Sequence, residues 1–194
     1  MAAEEQERHS KRPDLHEVHF LTKVVATGLF SGYIPWASGT FGSLVGLLFY
    51  ALIPGFERPI VLGTIILVGF VAGVHTSGRV AASVGHRLTH TAAMAKAAFQ
   101  PGNHGTVDPS VVVIDEIVGM WISLLFLPKD ILVVITAFCL FRVFDIVKPY
   151  PAQRLERIPR GWGIMLDDVS AGICANVSSQ IFVLGMRWIF PGII

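Results

Sequence analysis

The run VVVIDEIVGMWISLLF, residues 111–126, sets two adjacent carboxylates, Asp115 and Glu116, into a stretch dominated by Val, Ile, Met, Trp, Leu and Phe. A helix that is apolar all round is either buried in a large core or faces lipid. An ionised carboxylate in such a setting is costly unless it is paired, hydrogen-bonded or coordinated to a metal. The stretch therefore raises two questions together: what surrounds this helix, and what its two acids hold.

The whole chain shares the character of that run. Its 194 residues are enough for one domain with a real core. It is 53% hydrophobic and only 15% charged, with a mean hydropathy of +0.61, where average soluble chains carry about 25% charged residues. A net charge of +1, with no basic patch interleaved with aromatics, argues against a nucleic-acid partner. Cys139 and Cys174 lie inside apolar runs without metal spacing and read as buried, unpaired small hydrophobes. Residues 1–20 are polar and of mixed charge, lack the layout of a signal peptide, and read as a flexible cytoplasmic tail. Residues 21–194 read as a single helical domain.

Gaps in the charge pattern place apolar helices at about 41–56, 60–76, 111–127, 131–147 and 169–189, and a spanning helix needs about 20 mainly apolar residues. PIVLGTIILVGFVAGVHTSG (59–78) meets that length outright, and TFGSLVGLLFYALIPGF (40–56) is marginal. The last three runs reach it only with the charged residues at their ends. The expected fold class is all-α: a compact multi-helix bundle, membrane-embedded, with about 4–5 apolar helices plus a cytoplasmic helical loop. That loop reads as a helix to about Phe99, followed by the polar segment QPGNHGTVDP (100–109). The competing architecture is a compact all-helical domain around one fully buried central helix. In the embedded arrangement, Lys and Arg crowd the N-terminus and the two long loops, while the outer turns hold only Arg58 and Lys129. That asymmetry puts the N-terminus and both loops in the cytoplasm.

Three separated segments then bring five carboxylates to one depth: Asp115 and Glu116, Asp145, and Asp167 with Asp168. Oxygen ligands in such a group point to a hard cation, Mg²⁺ first, with substrate phosphate completing its shell. The alternative is structural ion pairing with Arg79, Arg142, Lys148 or Arg154. Arg142, Asp145 and Lys148 recur at three-residue spacing on one side of a helix that Pro149 ends, a pattern suited to a phosphoryl group or to a self-neutralising helix end. SGTFGS (38–43) opens an apolar helix with Gly39, Thr40, Gly42 and Ser43, which fits backbone N–H groups receiving an anion or close helix packing. His90 and His104 read as polar loop residues. No Gly-x-Ser-x-Gly elbow, Cys-x5-Arg loop or HEXXH motif is present, so the chemistry indicated is metal-assisted attack on phosphorus.

Together, ATGLFSGYIPWASGTFGS (26–43), HGTVDPSVVVIDEIVGMWI (104–122), FRVFDIVKPYPAQRLER (141–157) and GWGIMLDDVSAG (161–172) resemble the phosphatidylglycerophosphatase A family in order and spacing. The combination is specific where no single motif is; Glu156 departs from it, standing where the family pattern has Asp. The resemblance implies Mg²⁺-dependent removal of the terminal phosphate from phosphatidylglycerophosphate at the bacterial inner membrane. It implies Asp115, Glu116, Asp145, Asp167 and Asp168 as metal residues, with Asp115, Glu116, Asp145 and Asp168 catalytic. Thr40, Gly42, Arg142 and Lys148 would bind the phosphate. The rival class is an ion- or proton-coupled carrier using intramembrane carboxylates, which needs ionisable groups along a path instead of at one interface.

Overall fold

The computed structural model describes residues 19–34, 37–88, 111–147, 155, 158 and 161–189, with side chains of the second stretch described to residue 80. Six α-helices and one 3-10 turn are found among the described residues, and no strand. In chain order they are α1 (Phe20–Ala26), the turn Ser31–Tyr33, α2 (Ser38–Leu52), α3 (Pro59–Leu88), α4 (Ile114–Leu124), α5 (Ile131–Val147) and α6 (Gly161–Ile189). The expected tail up to residue 18, the loop helix beyond residue 88, His90, His104, Lys148 and Glu156 lie outside the described residues.

The stretch that opens the sequence analysis forms α4, and α4 is the hub. Helices α2, α3, α5 and α6 all pack against it. Nine of its 11 residues are buried, so it has no solvent or lipid face of its own. Val118, Met120 and Leu124 are fully enclosed, each contributing about 1.5–3 kcal/mol by leaving water. Neighbouring helices come this close because they offer glycines. A β-carbon on Gly46 of α2 would lie 3.2 Å from the Ile117 carbonyl, and one on Gly69 of α3 would lie 3.1 Å from Val118 Cγ2. One on Gly172 of α6 would press on the Gly119 carbonyl. The Trp121 indole closes the α2 contact by donating from Nε1 to the Gly46 carbonyl at 2.9 Å.

The long helices are apolar on the outside. On α3, Ile60, Leu67, Val68 and Val71 are exposed along one face, and on α6 Ile173, Val177, Ile181, Leu184 and Trp188 are. Two segments, Pro59–Val80 and Gly161–Ile189, are long and apolar enough to cross a membrane, and most of each faces outward. Of the expected 4–5 apolar helices, two among the described residues reach spanning length. At about 1.5 Å per residue, α4 is roughly 17 Å long and cannot bridge a hydrocarbon core of about 30 Å. The 15-residue α2 and the 17-residue α5 also fall short of about 20 residues. Both architectures weighed from sequence are thus present in part: a buried central helix, ringed by helices with lipid-like outer faces. Cys139 is exposed on α5 and Cys174 is half-buried, both free, so the expectation of two buried cysteines is corrected. Cys139 sits on the same outward apolar surface as Ile135 and Val143.

One end of the bundle is closed by the turns carrying Arg58 and Lys129. Lys129 Nζ pairs with a Glu57 carboxylate oxygen at 3.3 Å and lies 5.5 Å from the Tyr50 ring centroid. The hydrogen bond from its own backbone N–H, followed by Lys129, holds the Glu57 carboxyl below its ordinary range. Phe56 packs on Trp121 with ring centroids 5.5 Å apart, so this end lies beside the C-terminal half of α4, away from its acids.

The α4–α6 contact tolerates no side chain at Gly172. Gly172→Val is expected to cost about 1–3 kcal/mol or more, seen as a lower thermal midpoint in detergent. Gly185→Ala, whose β-carbon would meet nothing within 4 Å, is expected to leave the midpoint unchanged or raise it. Equal midpoints for the two variants would contradict the packing assigned to α4.

Candidate metal centre

The acids are placed by the start of α4. The Val113 N–H donates to the Ala26 carbonyl at 2.9 Å, tying the end of α1 to the residue before α4. Asp115 and Glu116 then fall in the first helical turn, where the helix dipole favours negative charge. Asp168 arrives from α6, which begins at Gly161, earlier than the sequence pattern implies, so Asp167 and Asp168 sit in its second turn. Ligand oxygens of Asp115, Glu116 and Asp168 lie within 4.8 Å of one another. Asp115 and Asp168 are buried, and the Glu116 carboxyl is within hydrogen-bonding reach of Asp115.

Three carboxylates this close repel one another. At 4 Å a like-charge pair costs about 1 kcal/mol in bulk water and about 4 kcal/mol at an effective dielectric of 20. Glu116 Oε2 is moreover buried with no hydrogen-bond partner. An all-oxygen donor set with a buried, unsatisfied carboxylate oxygen fits a hard divalent cation.

Asp145 also has a cationic partner. Its Oδ2 lies 2.7 Å from Arg142 Nη1 in an ion pair one turn apart on α5. Arg142 Nη1 also donates to Ser43 Oγ at 3.3 Å, and Ser43 Oγ donates to the Gly39 carbonyl at 2.8 Å. The guanidinium is thus held between α2 and α5 with its Nε buried and unsatisfied. Asp145 still reaches the acidic group, since its carboxyl is within hydrogen-bonding distance of Asp168. The acidic trio and the guanidinium are therefore neighbours joined through Asp145.

The remaining expected residues divide. Asp167 is buried beside Asp168, and its carbonyl accepts from Ser170 Oγ at 2.7 Å, but it is not one of the three whose oxygens converge. Thr40 is half-buried in the first turn of α2. Gly42 lies on the packing side of that helix, where a β-carbon would be 2.8 Å from Val113 Cβ. Ser43, singled out in the sequence only as part of a helix opening, proves to be an acceptor for Arg142. No spacing signals that link, because the partners are 99 positions apart.

A divalent cation is expected to raise the thermal midpoint, by as much as about 2.7 kcal/mol of added stability at a hundredfold excess over Kd. Glu116→Gln and Asp168→Asn are expected to abolish that shift, while Asp167→Asn retains it. A shift that persists in all three variants would place the cation elsewhere.

Comparison with known proteins places the chain as a whole. The profile of the family described as "PgpA: Phosphatidylglycerophosphatase A" matches residues 24–183. A Bacteroides thetaiotaomicron protein with the provisional name phosphatidylinositol-3-phosphatase is 33% identical over 186 residues, covering 92% of this chain and 98% of its own. Phosphatidylglycerophosphatase A of Escherichia coli is 30% identical over 167 residues, covering 85% of this chain and 84% of its own. The Haemophilus influenzae protein of that name is 32% identical over 165 residues, covering 84% and 86%. No solved structure matches. With its α1-to-α6 core matched nearly end to end, the chain belongs to the phosphatidylglycerophosphatase A family.

Proposed function

We propose that the protein is a Mg²⁺-dependent phosphatase that hydrolyses the terminal phosphate monoester of phosphatidylglycerophosphate, leaving phosphatidylglycerol, in phospholipid biosynthesis. The observation that carries this reading is the convergence of Asp115, Glu116 and Asp168 beside a guanidinium already fixed in place. An oxygen-only cation site next to an arginine is what a phosphate dianion requires.

In this reading Asp115, Glu116 and Asp168 hold the metal, with Asp167 next to them. Bound there, Mg²⁺ would offset the charge on the phosphate and polarise the phosphorus–oxygen bond. Arg142 takes the non-bridging oxygens and Asp145 keeps its guanidinium aimed. Thr40, in the open first turn of α2, adds backbone N–H to the phosphate, with Gly42 admitting the close approach of α2. Lys148, one turn beyond Asp145 in sequence, supplies a further positive charge. Burial of the acids keeps bulk water from screening these contacts.

The site is read as lying at the cytoplasmic face of the bacterial inner membrane. Trp162 and Trp188, both exposed, flank the α6 segment. Their separation of about 39 Å along the helix matches a bilayer of about 40–45 Å including headgroups, where Trp anchors at the interfaces. Asp168 lies toward the Trp162 end, about 9 Å along the helix from it. A carrier requires ionisable groups strung along a route, whereas the described acids gather at one place in a chain of a phosphatase family. A second reading keeps the chemistry and changes the headgroup. It is favoured by the relative with the phosphatidylinositol-3-phosphatase name, which matches nearly its full length.

Phosphate release from phosphatidylglycerophosphate and from phosphatidylinositol 3-phosphate, each in detergent micelles, distinguishes the two. Mg²⁺-dependent release from the first substrate is expected, with Asp115→Asn and Asp168→Asn losing at least about 100-fold in kcat while remaining folded. Asp145→Asn is expected to raise KM more than it lowers kcat, since it loosens Arg142 and leaves the trio intact. Release from the inositol lipid alone would move the assignment to the second reading. No release from either would end the phosphatase reading.

A further inference from the structure

Glycines at helix contacts in this fold mostly face backbone or apolar atoms. Gly32 lies on the Val111 carbonyl, Gly161 on the Val74 carbonyl, Gly172 on the Gly119 carbonyl and Gly73 on the Met165 side chain. A side chain at the first three would have to move main chain, so these glycines serve packing.

Gly39 is different. A β-carbon there would stand 2.6 Å from Glu116 Oε1 and 3.1 and 3.2 Å from Arg142 Nη1 and Nη2. These are the charged tips of two flexible side chains, delivered by α4 and α5. Gly39 is not among the residues with positive φ, and it lies inside the first turn of α2, so no unusual backbone conformation requires glycine. What its bareness provides is simultaneous approach of α2 to a carboxylate and a guanidinium. Both of those groups carry buried atoms without hydrogen-bond partners, Glu116 Oε2 and Arg142 Nε. Gly39 is also tied into the frame, because its carbonyl accepts from Ser43 Oγ, which in turn accepts from Arg142.

We infer that Gly39 is a positioning residue of the phosphate seat: its missing side chain lets Glu116 and Arg142 meet at the start of α2, leaving that meeting point for a phosphate group. The inference rests on reading Arg142 and the acidic trio as the phosphate and metal site. A methyl group at this position pushes the two charged tips away, since they yield more readily than the helix backbone does. The fold survives the substitution, because alanine is a better helix former than glycine. The seat does not.

The test uses the full chain in detergent with Mg²⁺ present, comparing wild type, Gly39→Ala and Gly46→Ala. Gly46 lies on the same helix but faces Ile117, away from the charged groups. Binding of inorganic phosphate is measured by calorimetry, thermal midpoints in parallel, and hydrolysis of phosphatidylglycerophosphate separately. Gly39→Ala is expected to keep or exceed the wild-type midpoint while its phosphate affinity falls at least about tenfold, about 1.4 kcal/mol. Gly46→Ala is expected to bind phosphate as wild type does. Unchanged phosphate affinity in Gly39→Ala overturns the inference, as does a wild type that binds no phosphate. A midpoint that drops with affinity in Gly39→Ala assigns the glycine to packing and overturns it equally. If wild type binds phosphate and Gly39→Ala does not, yet the lipid stays intact, the seat stands and the assigned substrate falls.

Discussion

Everything in this fold depends on enclosing α4. A helix of 11 residues that is apolar nearly all round cannot cross a bilayer, so it must be covered by protein. Four helices supply the cover, and glycines on α2, α3 and α6 let them approach within side-chain-free distance. Packing of this kind is short-range and steep, because interiors at crystal-like density have no slack for an added methyl group. The same enclosure makes the acids at the head of α4 matter. Two carboxylates are carried into the interior by a helix that has nowhere else to go, and Asp168 meets them there from α6.

Burial and charge then divide the site into two parts. Asp115, Glu116 and Asp168 form a group whose mutual repulsion calls for a cation. Arg142 is compensated by Asp145 and steadied by Ser43. A salt bridge of two partly buried side chains, 16% exposed each, is geometrically firm in a way that a surface pair is not. A guanidinium held in place in this way would lose little freedom on meeting an anion.

The outer surface is set by a different balance. The exposed faces of α3 and α6 carry large aliphatic side chains in place of the charged residues a water-facing helix would show. Faces of that composition suit lipid tails better than water. The opposite end is closed by Glu57, Lys129 and the aromatic group of Tyr50, Phe56 and Trp121. The two ends of α4 are thus chemically unlike.

By itself, the sequence determined the helical class of the described residues, the apolar character of those helices, and the family the chain joins. Those properties follow from local composition and from motifs read in order, such as the Asp-Glu pair of α4 and the Asp-Asp pair of α6. Hydropathy also located five of the six described helices, missing α1, and did not separate a spanning run from an enclosed one. A run of apolar residues looks the same whether its neighbours are lipid tails or glycine-faced helices, and only packing distinguishes them. Tertiary structure alone decided that Asp168 joins Asp115 and Glu116 while Asp167, its chain neighbour, does not: rotation along α6 separates the two. It likewise decided that Asp145 pairs with Arg142, and that Gly39 lies against both charged groups while Gly42 packs against Val113. These relations join residues on different helices, and their geometry depends on how the helices cross, which no spacing within one helix encodes.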